Sequence, residues 1–294
     1  MDKLLMPINT PLLKIFDKKR NNIIYLKDET KQYTNAFKYR GVYNKFKTTN
    51  FENYNGVITS STGNHGQAVS FAANQIGIDC TIVLPYNTPI LKKEKIEKNN
   101  AIIISDKKLY NYDICTNYAK KIAKERNLLY IPSFDDIDIV NGHKKMFDEI
   151  AFDIDYCFCP IGGGGLVSAA LESESLKKTI VIGVELKKQD SMNQSLKKND
   201  IICVDIVSDE NSFCEGILVK KVGDLNFKIS KKHNLKVNLV NTNEIKDAIR
   251  KLNKLNIRAE GAGASAYAAY LKSNIKNSFS CFIETCNEYI NMLG

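Results

Sequence analysis

Histidine is scarce in this chain. Only His65, His143 and His233 occur among 294 residues, which argues against a histidine-built metal centre. The eight cysteines form no repeated CxxC pattern. Cys157 and Cys159 sit in an apolar, strand-like run, and no histidine stands at zinc-ligand spacing from them. A reduced, cytoplasmic chain is the simplest reading of that usage. No apolar run reaches membrane-spanning length, so no membrane partner is expected. The N-terminal stretch 1–20 carries Asp2 and Lys3, is broken by Pro7 and Pro11, and offers no small-residue cleavage site. It reads as mature protein and not as a signal peptide. No repeat or low-complexity linker divides the chain.

What is present is an ordinary globular balance, with 44% hydrophobic and 26% charged residues. At this length it suits one large α/β domain or two close lobes. The formal net charge of +9 raises nucleic-acid binding. The lysines are nevertheless spread along the whole chain, and runs such as Lys92, Lys93, Lys95 and Lys98 read as solvated helix faces. No recognition motif supports the charge, so no nucleic-acid partner is expected.

Short apolar, β-branched runs alternate with helical patterns. Strands are expected at 56–59, 80–85, 101–105, 128–131, 155–160, 179–185 and 279–284. Between them, 67–76 places Ala68, Phe71, Ala72 and Ile76 on one helical side with Gly77 as a stop. Residues 243–255 carry Ile245, Ile249, Leu252 and Leu255 at helical spacing, with Thr242 as the cap. Such alternation argues for parallel sheet in an α/β fold, with ligands beyond the carboxyl ends of strands.

Two loops fall at that place. Gly162, Gly163, Gly164 and Gly165 stand between the run 156–161 and a helix-like stretch 166–171. Four glycines there let several backbone N–H groups converge on one anion, and a phosphate is the natural guest. No Lys-Ser/Thr follows and GxGxxG is not met, which favours a phosphate monoester over a nucleotide. Ser61-Thr62-Gly63-Asn64-His65-Gly66 leads into the helix at 67 and suits a carboxylate. A capped helix start accounts for Ser61 or Thr62 equally well. A third segment, 34–41, holds Lys38. A lone lysine in a mixed stretch is ordinarily a surface residue, and only its partners give it weight.

Taken together, Phe37-Lys38-x-Arg40-Gly41, the Ser61–His65 loop and the glycine run resemble the fold type II pyridoxal-phosphate (PLP) enzymes. The subgroup is the threonine/serine dehydratase and serine racemase family. The resemblance covers nearly the whole chain. Thr10-Pro11-Leu12, Gly183-Val184-Glu185, Cys214-Glu215-Gly216-Ile217 with Val222-Gly223-Asp224-Leu225, and Glu260-Gly261-Ala262-Gly263-Ala264 match further family stretches in order. The resemblance implies that Lys38 forms an aldimine with PLP and then serves as acid and base. It sets Phe37 beside the cofactor ring, Asn64 on the ring 3′-oxygen, and the glycine backbone at 162–165 on the phosphate. Ser61, Thr62, Gly63, Asn64 and His65 are expected to receive the substrate, and Thr285 to meet the ring nitrogen. A neutral hydroxyl there makes the ring a weaker electron sink, which favours elimination or proton exchange.

This chain departs from the family at several points. Asn35-Ala36 replaces Gly-Ser, Gly142-His143-Lys144-Lys145 replaces GQGT, and Thr285-Cys286-Asn287 replaces an SGGN-like end. Family members often bind a monovalent or divalent cation through the glutamate matched by Glu185. Asp190 is near, but Ser191 stands where racemases have a second aspartate, and a salt-bridged or helix-capping Glu185 is an equal alternative. Gly294 follows Thr285 closely, so no regulatory domain, and hence no feedback control by isoleucine, is expected.

The expected architecture is a two-lobed α/β fold resembling the tryptophan synthase β chain. Residues 1–50 and 134–294 are expected to form a large PLP-binding domain, and 51–133 a small one. The expected chemistry is elimination from L-threonine and/or L-serine, giving a 2-oxo acid and ammonia. Racemisation with Thr62 as second acid/base is the alternative, and a non-catalytic PLP-binding protein a further one. A homodimer is the expected assembly.

Overall fold

The computed structural model describes residues 3–61, 63–206, 212–276 and 278–284. The chain runs β1 (Leu12–Asp17), β2 (Asn22–Asp28), α1 (Lys38–Thr48), β3 (Val57–Ser60), α2 (Asn64–Ile76), β4 (Cys80–Val83), α3 (Ile90–Glu97) and β5 (Ile102–Ile104). It continues through α4 (Tyr112–Glu125), β6 (Leu129–Tyr130), α5 (Ile137–Asp148), β7 (Tyr156–Pro160), α6 (Gly165–Leu171), β8 (Ile180–Leu186) and α7 (Ser191–Lys198). The last elements are α8 (Asp224–Lys232), β9 (Lys236–Val240), α9 (Thr242–Lys254), α10 (Gly261–Lys272) and β10 (Phe279–Glu284). This is the mixed α/β class expected. No described helix is long and apolar enough to cross a membrane.

The chain divides into two compact units. One comprises Met1–Ile8 and Lys38–Gly142, the other Asn9–Phe37 and His143–Gly294. Tyr39, Val42 and Phe46 of α1 and Ile139 of α5 pack into the same core as Ala68, Val69, Ala72, Ile82 and Ile131, so α1 and the start of α5 go with the first unit.

The first unit is built on a four-stranded parallel sheet of order β5-β4-β3-β6. A separate cluster of Ile58, Val83, Leu109, Cys115, Ala119 and Ile122 seats α4 on it. β3 and β4 are buried at every position, as strands of a sheet covered on both faces are. Lys92, expected on a solvated face, is buried.

The second unit holds a six-stranded sheet of order β1-β2-β10-β7-β8-β9. It is parallel except for the antiparallel β1–β2 pair. Its core joins Ile24, Leu26, Phe158, Val184 and Val240 to Ile245, Ile249 and Leu252 of α9 and to α10. Every residue of α10 from Gly261 to Tyr270 is buried. Its small side chains let backbones approach closely: a Cβ on Gly261 would meet Phe213 O at 2.5 Å, and one on Gly216 would meet Ala262 Cβ at 3.0 Å. The stretches 214–217 and 260–264 are thus two sides of one tight contact. The N-cap of α9 is Asn241, not Thr242. Asn241 accepts the Glu244 N–H at 2.9 Å, and Glu244 accepts the Asn241 N–H at 2.7 Å. This capping box places Thr242 inside the helix.

Candidate active site

In the first unit Lys38 opens α1, half-buried, and its Nζ donates to the carbonyl of Ser133 at 2.9 Å. Two residues before Phe37, Asn35 has φ of 56°. That is the left-handed region, where asparagine is the residue best tolerated after glycine. The replacement of the family glycine by Asn35 is thereby explained. Arg40 of the same motif is buried and donates through Nη2 to the Ile8 carbonyl at 3.1 Å, which ties down the N-terminal segment.

The loop after β3 turns into α2 at Gly63. Ser61 Oγ accepts the Gly63 N–H at 3.3 Å. A Cβ on Gly66 would lie 2.8 Å from the Ser61 carbonyl, so glycine there lets helix and loop meet. The first N–H groups of α2 lack intrahelical partners and suit a carboxylate. His65 is buried, and its Nε2 lies 3.2 Å from the Ile131 carbonyl. A carbonyl only accepts, so Nε2 carries the hydrogen. Burial, reinforced by the positive Lys38, drives the imidazole pKa down to about 3. His65 is therefore neutral, and only its backbone N–H stands at the helix start. Asn64 begins α2, half-buried. Thr62 lies outside the described residues.

In the second unit the glycine loop links β7 to α6. Gly164 is the N-cap with φ of 95°, and a Cβ there would meet Asn226 Cβ at 2.8 Å. A Cβ on Gly162 would meet the Gly216 carbonyl at 2.7 Å. The Gly163 carbonyl accepts from Gly223 N–H at 3.0 Å and from Asn226 Nδ2 at 2.9 Å. Because the peptide is planar and trans, that anchorage turns the Gly164 N–H the opposite way. A fixed backbone cradle without side chains, at the start of a helix, fits the phosphate of PLP. Asn226 escaped sequence reasoning, although the adjacent Val222–Leu225 motif pointed to it.

Phe37 packs edge-on against the buried His143, ring centroids 4.8 Å apart. His143 is a core residue, so of the residues replacing GQGT only the lysines add surface charge. Glu185, at the end of β8, accepts the N–H groups of Met192 and Asn193, each at 2.9 Å, and thereby caps α7. Burial raises its carboxyl to about 8 against the pull of those two N–H groups, with Asp190 adding to the rise. Among the described residues no group of three His, Cys, Asp or Glu is placed to hold a metal ion. Thr285 lies outside the described residues.

The chain is 34% identical over 279 residues to the L-threonine ammonia-lyase of Thermotoga maritima, covering 92% of this chain and 68% of that enzyme. It is 32% identical to a biosynthetic L-threonine dehydratase of Haemophilus influenzae, covering 90% of this chain and 53% of that one, and so spans about half that relative's length. The processed form of threonine deaminase isoform 2 from Solanum lycopersicum superposes with a TM-score of 0.85 at 29% identity, covering 97% of this chain and 86% of that one. A family model described as pyridoxal-phosphate dependent enzyme matches residues 4–283. The chain belongs to the pyridoxal-phosphate dependent enzymes.

Proposed function

We propose that this chain converts L-threonine or L-serine to a 2-oxo acid and ammonia, eliminating water from the amino acid and taking one water back as the resulting imine hydrolyses, with PLP attached to Lys38. The observation that carries the reading is the Lys38 amine, half-buried in the same unit as the polar start of α2. Similarity to threonine ammonia-lyases over nine-tenths of the chain supports it. Gly162, Gly163, Gly164 and Gly165 would hold the cofactor phosphate, Asn64 the ring oxygen, Phe37 one side of the ring, and Thr285 its nitrogen. Bound PLP supplies an electron sink that acidifies the substrate α-carbon. Ser61 and the backbone N–H groups of Gly63, Asn64 and His65 would orient the substrate carboxylate. Lys38 Nζ would take the α-proton on one face. Thr62 would supply a hydroxyl to the other. We assign no cation to Glu185, whose oxygens both accept from α7. A homodimer working in the cytoplasm completes the proposal.

The test is release of ammonia and 2-oxo acid from a panel of amino acids, with chiral analysis of the substrate left behind. Thr62→Ala should spare elimination from the L-substrate and abolish any racemisation. Racemisation faster than 2-oxo acid release, lost in Thr62→Ala, would replace the lyase by a racemase.

A further inference from the structure

Ser133 lies in the loop between β6 and α5, and two contacts meet on it. Its carbonyl accepts from Lys38 Nζ at 2.9 Å, and its Oγ accepts from the Tyr112 hydroxyl at 3.4 Å. Tyr112 is the first residue of α4. There it is held by Asn111, whose side chain accepts the Ile114 N–H at 2.9 Å, and by Cys115 N–H, which donates to the Asn111 carbonyl at 3.1 Å. Two residues earlier in the loop, the Ile131 carbonyl accepts from Thr59 Oγ1 at 2.7 Å and faces His65 Nε2. The loop is thus pinned at Ile131 to β3 and α2, and at Ser133 to α4. The Ser133 carbonyl is the point where that pinning reaches the lysine.

We propose that Tyr112 is a positioning residue for Lys38, acting through Ser133. The Tyr112–Ser133 hydroxyl couple holds the loop so that the Ser133 carbonyl stays on the lysine amine. This rests on the assignment of Lys38 as the attachment residue. A backbone carbonyl accepts hydrogen bonds and takes no proton, so the contact favours the charged amine. Attachment of PLP joins the amine nitrogen to the aldehyde carbon as a C=N bond and expels the aldehyde oxygen as water. The amine must first give a proton to solvent and leave the carbonyl. The couple therefore parks the lysine and slows loading. His65, beside the same amine, is neutral and offers no competing charge.

The test is the rate at which visible absorbance grows when PLP is added to cofactor-stripped full-length protein. Tyr112→Phe and Ser133→Ala should each load about threefold faster, the loosening of one hydrogen bond. The double variant should load no faster than either single one, because both remove the same contact. Ser133→Thr, which keeps the hydroxyl, should restore the wild-type rate. General damage to the fold would slow loading, so the direction separates positioning from mere support. Unchanged or slower loading in the single variants, with melting temperatures within the wild-type range, would overturn the inference; so would additivity in the double variant. Borohydride trapping and peptide mapping run alongside. A pyridoxyl group on a lysine other than Lys38 overturns the assignment of Lys38, and the inference with it. A pyridoxyl group on Lys38 with unchanged rates overturns the couple alone.

Discussion

His65 and Ile131 are joined through Nε2 and a main-chain carbonyl 3.2 Å apart; the contact makes Nε2 the donor, while burial keeps the imidazole neutral against its pull. The folded pKa is about 3, while the unfolded one is about 6.5. Between these values the unfolded chain binds more protons, so stability rises with pH. The contribution is present above pH ~6.5 and is lost as pH falls toward the folded value. His65→Gln keeps a donor and removes the titration. The wild-type melting temperature should fall relative to that of His65→Gln as pH drops from about 7 to about 4. A constant difference would show that His65 does not titrate in this window.

Glu185 runs the opposite way. Its folded pKa is about 8 and its unfolded one about 4.3. The folded chain holds the proton over that interval, so this group's contribution falls as pH rises from about 4.3 through the folded pKa. Relative to Glu185→Gln, wild type should lose melting temperature from about pH 5 to about pH 8. Glu185→Ala should cost about 1–2 kcal/mol through loss of the α7 cap. Urea unfolding of the alanine variant at pH 6 that matches wild type would refute the capping role.

Gly164 should resist substitution. Alanine at φ of 95° costs about 1–2 kcal/mol in backbone strain, and its Cβ would press on Asn226. Relieving the clash moves the loop, so PLP affinity should fall about tenfold or more in Gly164→Ala. Equilibrium dialysis of the cofactor provides the measurement. Wild-type affinity in this variant would place the phosphate elsewhere.

Lys38 carries the colour. Wild type loaded with PLP should absorb in the visible, and borohydride should bleach that band while fixing the cofactor to the peptide containing Lys38. Lys38→Ala should bind PLP without the bleachable band and release no ammonia from serine or threonine. A bleachable band that persists in Lys38→Ala would sink the assignment.

The loops at 61–66 and 162–165 were legible because their glycines have no other local use. The seven strands 57–60, 80–83, 102–104, 129–130, 156–160, 180–186 and 279–284 were legible because parallel strands are rich in apolar and β-branched residues. The sequence patterns passed over β1, β2 and β9. LLKIFD and KVNLV carry charged or polar residues that look like loop. In β2 a buried Lys27 is neutralised by Glu149, more than a hundred residues away in sequence. Ile131, Ser133 and Tyr112 were hidden for another reason: the Ile131 and Ser133 carbonyls are groups that any residue type supplies, and the Tyr112–Ser133 hydroxyl contact joins residues 21 apart in sequence. Asn35 shows the reverse case, an apparent departure from the family pattern that preserves the backbone angle the position needs.

The order of strands in the larger sheet sets a timetable for synthesis. β10 lies between β2 and β7, paired with both in parallel register. It is the last described strand to leave the ribosome, yet it fills the middle of the sheet. Until it emerges, β2 and β7 each present a bare strand edge, and the hairpin made early in translation has nothing to join. Nascent chains of this protein are thus open to mispairing for most of their synthesis, and the sheet closes as a single late event.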